Sequence, residues 1–537
     1  MPKIQKTQIF FLAIIFFGLF GLAGSSRAAT YYVATTGNNS TGNGSTGNPW
    51  QTVGYGISQM AGGDTLIVKD GTYSGTANFI TGVPNGSVGA YTTIKAENPF
   101  EVRITRGTDN LLYYDNPIRM NANSYVEVEG FILDIADDST PPSVVGVTGS
   151  DHIKLKKFIV KRSGVLDQYA NIVAISGGST YVLLEDCGVT GGMRYGIYAG
   201  GTADTSRYII LRRCVVRNDY SNSTQPKAAF ATYGNNAGIG IRDVLYQNTV
   251  AIDGQNTWDG TGDPSSRATY AGYYNPKNAA DVTYHGTITL NNYGYWGGMG
   301  IKELSGTNMT LDSCVIWDSG ENYGLRLSGN QDYVSVNKCT IGGNAAGFYH
   351  ASSPVDNHFL KNTLFYNNTS LSASNYGWAT ESNNGFNPVG QARGTNPIAS
   401  TDNLEYITRI EAGSAWDGAA DDGGDVGANI LNKWGVDGTL WGETGYDQLT
   451  DNSLWPWPYE DKIKEVFSEA NSSPAGSNPA TNDTTRGFAS SGTGLYGGPI
   501  TLTSYIWEYL GSACPAEICT ASSDTTAPAA PSGLSVQ

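Results

Sequence analysis

One short pattern recurs nine times along the middle of the chain and constrains its fold more than any other feature. Each occurrence places Gly, Asn, Cys or Lys two residues before an aliphatic side chain, and successive occurrences lie 23 to 38 residues apart. The nine pairs are Gly130/Ile132, Lys157/Ile159, Cys187/Val189, Cys214/Val216, Asn248/Val250, Gly286/Ile288, Cys314/Ile316, Cys339/Ile341 and Asn362/Leu364. A strand-sized motif that recurs at this interval, with gaps of variable length, is typical of a stacked solenoid.

The residues around these pairs are rich in β-branched and aromatic side chains, as in YVEVEGFIL and YVSVNKCTI, so the repeating unit is a strand. No helical periodicity lies between the repeats. The pattern therefore predicts an all-β chain folded as a single-stranded right-handed parallel β-helix. We assign it to residues 30–377, including an N-terminal cap that starts with a short helix in NPWQTVGYGISQM. That N-terminal stretch resembles the cap and first coil of secreted β-helix proteins of the pectate-lyase-like superfamily.

The first 29 residues have the features of a secretory signal peptide. Lys3 and Lys6 precede an unbroken apolar run from Ile9 to Ala23, which is followed by small residues. An uncleaved membrane anchor is the alternative, but the run is short for a bilayer span. We expect a secreted or cell-surface protein with no membrane contact once the signal is removed.

Bulk charge and cysteine content narrow the possible partners. The net charge of −16 disfavours nucleic-acid binding, and an acidic polymer would have to meet a locally basic groove. Cys187 and Cys214 occupy equivalent positions on neighbouring coils, as do Cys314 and Cys339, either as stacked buried thiols or as bridges. A local disulfide is expected in the C-terminal loop, between Cys514 and Cys519.

The repeat ends near residue 377. Residues 378–520 are predicted to form an irregular C-terminal cap with a helix near 460–470. Residues 521–537 resemble the linker and first strand of a fibronectin type III module. The two longest gaps between repeats must hold insertions, which in solenoids tend to rim the binding face.

Two segments share a frame that points to catalysis. Lys302 follows Gly-Ile and Arg326 follows Gly-Leu, and each segment then closes on Leu-Ser-Gly. Stacked coils would place Lys302, Arg326, Tyr349 and Tyr198 on one face. A lysine beside an arginine is pushed toward its neutral form, so Lys302 could remove a proton next to a uronate carboxylate while Arg326 neutralises that carboxylate. Tyr349 or Tyr198 could return a proton, with His350 as a second candidate.

This frame resembles the chondroitinase-B and alginate-lyase family of β-helix enzymes. The resemblance implies a catalytic base at Lys302 and an acid at Arg326, with calcium as a possible cofactor. Two departures from the family pattern are visible. Tyr293–Met299 replaces the acidic calcium ligands that precede the lysine, and Leu327 replaces the histidine that follows the arginine. The alternative for Lys302 and Arg326 is a pair of solvated charges on an outer sheet face.

Other residues are weaker candidates. Asp253, Asp259 and Asp263 in the longest insertion could bind calcium or supply the paired carboxylates of a glycoside hydrolase. Five aromatic residues crowd the coils around Lys302 and could stack on sugar rings, or pack beneath the insertions instead. They are Trp258, Tyr273, Tyr274, Tyr295 and Trp296.

These observations favour a polysaccharide lyase that cleaves a uronate-containing polymer by β-elimination. A glycoside hydrolase on the same scaffold is one alternative, and a non-catalytic adhesion protein that binds cell-surface glycans is another. The expected partner is an acidic polysaccharide or surface glycan, and the protein is expected to act as a monomer.

Overall fold

The computed structural model describes most of the solenoid and its C-terminal segment. The described ranges are 28–109, 115–136, 143–163, 171–192, 194–201, 205–220, 227–234, 240–256, 270–275, 278–294, 298–304, 306–320, 323–327, 333–350, 357–372, 378–469 and 487–519. Residues 1–27 of the predicted signal peptide 1–29 lie outside them, as does the fibronectin-like segment 521–537.

Each full coil contributes one strand to each of three parallel sheets, so the predicted parallel β-helix is confirmed. Along the chain a coil runs through sheet 1, then sheet 2, then sheet 3, and every strand pairs with its counterparts on neighbouring coils. Sheets 1 and 2 each have 13 strands and sheet 3 has 11. Because pairing is always with the next coil, the register of one rung fixes that of its neighbours.

The strand bounds are as follows. Sheet 1 comprises Thr30–Val33, Thr65–Val68, Thr92–Ala96, Ser124–Glu129, Asp151–Lys156, Thr180–Glu185, Ser206–Arg212, Ile241–Gln247, Ala279–His285, Gly306–Asp312, Val334–Asn337, His358–Lys361 and Thr380–Ser382. Sheet 2 comprises Gly71–Ser74, Val102–Thr105, Phe131–Ala136, Ile159–Ser163, Gly188–Gly192, Val215–Tyr220, Val250–Ile252, Ile288–Leu290, Val315–Trp317, Thr340–Gly342, Leu364–Tyr366, Gly385–Asn387 and Ile398–Ala399. Sheet 3 comprises Ile80–Thr81, Ile118–Asn121, Val145–Thr148, Asn171–Ser176, Tyr195–Gly201, Lys227–Gly234, Tyr270–Tyr274, Gly298–Leu304, Tyr323–Leu327, Ala346–His350 and Ser370–Ser372.

Smaller elements complete the described chain. Two short strand pairs are Gln255–Asn256 with Tyr293–Gly294, and Asn432–Trp434 with Leu449–Ser453. The α-helices are Val53–Ser58, Glu460–Ser468, Leu502–Trp507 and Ala516–Cys519. Single 3₁₀ turns lie at Thr76–Asn78, Val389–Gln391 and Gly487–Ala489. The first two α-helices lie where the sequence predicts them. No helix in the described ranges is long and apolar enough to cross a bilayer.

From Gly130 to Asn383, the corner between sheets 1 and 2 is turned by a single residue in the left-handed region. These corner residues are Gly130, Lys157, Asp186, Arg213, Asn248, Gly286, Ser313, Lys338, Asn362 and Asn383, with φ between 49° and 97°. The four cysteines come one position later, so the sequence-based alignment of nine rungs is off by one at the cysteine rungs. The misalignment arose because both the corner residue and the residue after it recur as small or polar side chains.

The residue after each corner points into the solenoid. Strand pairing aligns Cys187 with Cys214 and Cys314 with Cys339 on neighbouring coils, as predicted. All four are buried free thiols, while Cys514 and Cys519 form the expected disulfide. Burial raises the pKa of the Cys187 thiol well above its ordinary value, so this sulfur stays protonated and unreactive.

The C-terminal segment lies along the outer face of sheet 2 as well as at the solenoid's end. The Ala428 amide donates to Thr340 Oγ1 at 2.8 Å, and the Trp434 amide to Asn248 Oδ1 at 2.6 Å. Further along the chain, Glu469 accepts from Lys161 Nζ at 3.0 Å. Successive contacts therefore reach coils progressively nearer the N-terminus. An apolar cluster that includes Trp416, Trp455, Trp457 and Phe467 covers the outward side chains of sheet 2.

Two buried arginines of the solenoid, Arg212 and Arg213, bind the C-terminal segment. Arg212 Nη1 lies 2.7 Å from Glu185 Oε2 and also donates to the Val436 carbonyl oxygen at 2.8 Å. Arg213 Nε lies 2.6 Å from Asp186 Oδ1, and its Nη2 lies 2.8 Å from Asp437 Oδ1. Since both guanidinium groups are fully buried, removing one partner would leave an uncompensated charge.

Ser313→Val should destabilise the solenoid, because a β-branched side chain is strained at the φ of 55° that this corner requires. We expect a loss of about 1–2 kcal/mol, measured as a lower midpoint of urea unfolding. Ser313→Gly is the matched control and should stay close to the parent, since glycine adopts this conformation freely. Equal midpoints for the two variants would show that the left-handed corner does not constrain stability.

Candidate functional site

One column of backbone positions in sheet 3 contains four of the five predicted catalytic residues. Strand pairing links Tyr198 to Ala231, Ala231 to Tyr274, and Tyr274 to Lys302. The next coil is set by the pair Ile301–Leu325, one residue before Lys302 and Arg326, and Arg326 pairs with Tyr349. The backbones of Lys302, Arg326 and Tyr349 therefore occupy three consecutive rungs of one column. A bulge follows, after which Leu304 pairs with Leu327.

A repeated glycine precedes this column and shapes it. Gly272, Gly300, Gly324 and Gly347 each lie two residues before the outward position. A Cβ on Gly300 would come within 2.3 Å of Ile316 Cγ2 and 2.8 Å of the Gly324 carbonyl oxygen. The coils therefore approach here more closely than a side chain allows. This four-residue frame, x-Gly-apolar-y, identifies the column from sequence alone, with y as the outward residue.

Arg326 belongs to a cluster of aromatic rings at one end of the column. Its guanidinium carbon lies 5.5 Å from the centroid of the Tyr349 ring. The Tyr349 ring stacks on that of Tyr323, with centroids 4.8 Å apart. All three side chains are half-buried. The contact between guanidinium and ring restricts the arginine while leaving it on the outer face. Tyr323 was missed by the sequence analysis, although it is the x residue of the same glycine frame as Arg326.

Tyr198 lies too far along the column to act with Arg326. Three coils separate Tyr198 from Lys302, which at about 4.8 Å per coil is roughly 14 Å. The Tyr198 hydroxyl donates to the Tyr233 carbonyl oxygen at 3.2 Å. Burial raises the pKa of Tyr198 to about 12, so its phenol remains protonated at neutral pH. The predicted grouping of Tyr198 with Arg326 and Tyr349 is therefore wrong, because the shared column is longer than one catalytic centre.

A second aromatic cluster surrounds Tyr198. Arg194 Nη2 donates to the Tyr195 hydroxyl oxygen at 3.0 Å, and the guanidinium carbon lies 4.6 Å from the centroid of the Tyr195 ring. The Tyr195 and Tyr274 rings approach to 6.1 Å although their strands are two coils apart. They close over Ala231, and all three side chains are buried. Tyr274 therefore does not present an open ring face to a sugar. Arg194 and Tyr195 were both missed, although Tyr195-Gly-Ile-Tyr198 has the same frame as the Arg326 strand.

His350 and Tyr273 point away from this face, into the solenoid. His350 Nε2 lies 3.2 Å from His358 Nδ1, and both rings pack against Trp378. The Tyr273 hydroxyl lies 2.8 Å from Thr249 Oγ1. Since His350 and Tyr273 are fully buried, their predicted roles as proton donor and sugar platform are corrected. Each is the strand neighbour of an outward tyrosine, and alternation along a strand places it on the opposite face.

Asp253 anchors the C-terminal segment instead of facing a groove. Its carboxylate is fully buried and accepts bonds from Asn291 Nδ2 at 2.7 Å, Tyr505 Oη at 2.8 Å and the Phe488 amide at 3.0 Å. The proposed grouping with Asp259 and Asp263 therefore does not include Asp253. Asp259 and Asp263 lie outside the described residues, as do Trp258, Tyr295 and Trp296.

Calcium does not fit the residues before Lys302. The resemblance to the lyase family implies carboxylate ligands there, but residues 293–299 contain none. Elsewhere in the described ranges, no group of three or more His, Cys, Asp or Glu side chains could hold a metal ion.

The strands of sheet 3 contain more basic than acidic residues, whereas the chain as a whole contains more acidic than basic residues. These strands contain the basic residues Arg119, Lys227, Lys302 and Arg326 but a single acidic residue, Glu303. The whole chain has 48 acidic and 32 basic residues. Lys227 is buried, whereas Arg119 and Arg326 are half-buried. Arg119 and Arg326 are therefore the basic residues of sheet 3 whose described side chains are partly exposed, in a protein of net charge −16.

Comparisons with known proteins concern the fold. No family model and no curated protein matches the chain. Pectate lyase Pel9A is similar with a TM-score of 0.41 and 15% identity, over 76% of this chain and 98% of its own. The PL6 family alginate lyase AlyGC has a TM-score of 0.37 and 11% identity, over 74% of this chain and 55% of its own. PfbA, a surface adhesin of Streptococcus pneumoniae, has a TM-score of 0.36 and 14% identity, over 59% and 86%.

Asp253→Ala should loosen the C-terminal segment, because the Tyr505 hydroxyl, the Asn291 amide and the Phe488 N–H would lose a buried acceptor. We expect a loss of about 2–4 kcal/mol and faster limited proteolysis within residues 487–519. Asp451→Ala removes an exposed carboxylate from the same segment and is the control. If Asp253 acted as a calcium ligand, chelator treatment of the parent protein would reproduce the variant's behaviour; we expect chelation to have no effect.

Proposed function

We propose that the protein is a secreted polysaccharide lyase that cleaves a uronate-containing polymer on the outer face of sheet 3. The observation that carries the proposal is the position of the Lys302, Arg326 and Tyr349 backbones on consecutive rungs of one column of sheet 3. Neighbouring rungs lie about 4.8 Å apart, so the three residues span a distance that one glycosidic linkage and its sugar ring can occupy.

The chemistry assigns one role to each residue. The neutral amine of Lys302 takes the proton from the carbon next to the uronate carboxylate, and the Arg326 guanidinium neutralises the carboxylate and the enolate that forms. The electron pair then forms a carbon–carbon double bond as the bond to the glycosidic oxygen breaks. That oxygen takes a proton from the Tyr349 phenol. Arg326 suits the neutralising role because its fork of N–H donors matches a carboxylate and it stays charged.

The two alternatives have different support. A glycan-binding protein without catalysis is favoured by the half-buried tyrosines of the same face, Tyr198, Tyr323 and Tyr349, which could hold sugar rings without any reaction. A hydrolase requires two carboxylates converging on a groove, and Asp253 is buried on the opposite flank. The sugar-binding alternative is therefore the second candidate.

Lys302→Ala should strongly reduce the release of unsaturated uronate. This release is measured as a rise in ultraviolet absorbance when the protein is mixed with polygalacturonate, alginate or chondroitin sulfate. We expect kcat/KM to fall by about 10²–10⁴ for Lys302→Ala and by about 10²–10³ for Arg326→Ala.

Lys95→Ala is the matched control, because Lys95 is an exposed strand lysine on sheet 1. An unchanged rate in Lys302→Ala would overturn the assignment. Release of reducing sugar without the absorbance change would favour the hydrolase, and binding without any product would favour the adhesion protein.

Tyr198→Phe should leave kcat unchanged, because its strand lies three coils, about 14 Å, from that of Lys302. Tyr349→Phe, in contrast, removes the proposed proton donor and should lower kcat by about 10²-fold or more. Both substitutions delete a single hydroxyl from the same face, so the pair tests position alone. A larger loss in Tyr198→Phe than in Tyr349→Phe would place the reacting centre at the other end of the column.

A further inference from the structure

We propose that the chain is processed between Ala28 and Ala29, and that the α-ammonium group created on Ala29 is bound by the buried carboxylate of Asp64. The inference starts from the predicted signal peptide and places the cut one residue before the boundary at residue 29. It concerns how the protein matures and is independent of the proposed lyase activity. It also gives a role to Asp64, which lies outside the candidate site.

The sequence around this bond matches the end of a signal peptide. Such peptides have small residues at the first and third positions before the cut, in an A-x-A-like pattern. A cut after Ala28 has Ala28 and Ser26 at these two positions. A cut after Ala29 would instead place Arg27 at the third position, where a long charged side chain does not match the pattern. The residues before the bond therefore favour Ala29 as the first residue of the mature chain.

The structure binds Ala29 through both of its backbone polar groups. The Ala29 nitrogen donates to Asp64 Oδ1 at 2.7 Å, and the Ala29 carbonyl oxygen accepts from the Thr65 amide at 2.8 Å. The preceding residue, Ala28, is exposed. A mature chain that started at Thr30 would lose both contacts, whereas one that starts at Ala29 retains them. The contacts of Ala29 therefore select the same bond as the small-residue pattern.

Asp64 is well placed to receive a cation. Its side chain is only 6% exposed, and its two carboxylate oxygens accept from the Ala29 nitrogen and, at 2.8 Å, from the Ala61 amide. Both described donors to this carboxylate are thus neutral backbone N–H groups before processing. Burying a carboxylate costs free energy unless a cation or strong hydrogen bonds compensate it. A positive charge on the Ala29 nitrogen would supply that compensation without any movement of the chain.

Processing creates this charge by simple hydrolysis. A signal peptidase adds one water across the bond: the Ala28 carbonyl carbon gains an oxygen and leaves with the leader as a carboxylate. The Ala29 nitrogen gains protons and becomes an ammonium group. The hydrogen bond to Asp64 Oδ1 changes from a neutral donor to a charged one, and charge-assisted hydrogen bonds are about twice as strong as neutral ones.

The ion pair would stabilise the start of the solenoid. The strand that follows Ala29, Thr30–Val33, is the terminal strand of sheet 1 and pairs within that sheet only with Thr65–Val68. Terminal strands and chain ends open more readily than interior ones, since they have fewer neighbours. The contact between Ala29 and Asp64 joins the residues that immediately precede these two strands. Cleavage should therefore protect the first pair of strands against local opening.

Expression of the full chain with its own leader in an exporting bacterial host, followed by N-terminal sequencing of the exported protein, tests the processing site. We expect the sequence Ala-Thr-Tyr-Tyr, which starts at Ala29. An exported protein that starts at Thr30 or at any other residue, or that retains its leader, would overturn the proposed site.

Hydrogen exchange followed by mass spectrometry tests the ion pair separately. One chain starts at Ala29, and a matched chain carries Gly-Ser before Ala29, which keeps a neutral amide at this nitrogen. We expect residues 61–68 to exchange about fivefold more slowly in the chain that starts at Ala29, the difference between a neutral and a charge-assisted hydrogen bond. Asp64→Asn should remove this difference. Glu97→Gln, which neutralises an exposed carboxylate on the next coil, should preserve it.

The two experiments separate the parts of the inference. Equal exchange in the two chains, or a difference that persists in Asp64→Asn, would overturn the Asp64 contact even if the exported protein starts at Ala29. The comparison of the two chains with Asp64 intact remains decisive if Asp64→Asn does not fold. Neither outcome affects β-elimination at Lys302, which the absorbance assay measures.

Discussion

The single left-handed residue at the corner between sheets 1 and 2 is the constraint on which the rest of the structure depends. At these corners one or two residues connect the strands, and the left-handed residue among them redirects the chain and sets the phase of the sheet 2 strand that follows. Because each strand pairs with the next coil, a phase error at one corner would invert the inward and outward residues of that rung. The column of Lys302, Arg326 and Tyr349 exists only because this phase is maintained.

The three sheets have different surroundings. Sheet 2 is covered by the C-terminal segment, whose apolar cluster packs on its outward side chains. Part of sheet 1 is covered as well, since Leu440 packs on Leu183, Ile210 and Leu245. The outward positions of sheet 3 instead combine cations, tyrosines and alanines. The described contacts of the C-terminal segment with apolar side chains are thus on sheets 1 and 2, whereas sheet 3 carries the tyrosines and arginines of the candidate site.

Sequence reasoning could predict the fold because the repeat, the β-branched strands and the N-terminal helix all agree. It also placed Lys302 and Arg326 on adjacent rungs, since a shared frame of glycine and leucine carries register information.

The cysteine rungs were misaligned by one residue, because small or polar side chains recur at two adjacent positions. His350 and Tyr273 were misassigned although strand alternation predicts their burial. Tyr198 was grouped with Arg326 because the shared sequence frame predicts that both residues lie on the same face of the solenoid. The frame does not show how many coils separate them. The contacts of Asp253 could not be predicted, since its partners Phe488 and Tyr505 are more than two hundred residues away.

The C-terminal segment has a consequence for how such a protein can change in length. Its anchors match particular coils: Thr340, then Asn248, then Lys161, in reverse chain order. A solenoid standing alone could gain or lose one coil with little penalty, since each coil contacts only its neighbours. Here the added or deleted coil would displace every anchor beyond it by one rung, and contacts between the segment and the solenoid, such as the ion pair of Arg213 with Asp437, would be separated. The flanking segment therefore fixes the number of coils between its anchors, and with it the number of rungs between Tyr198 and Lys302.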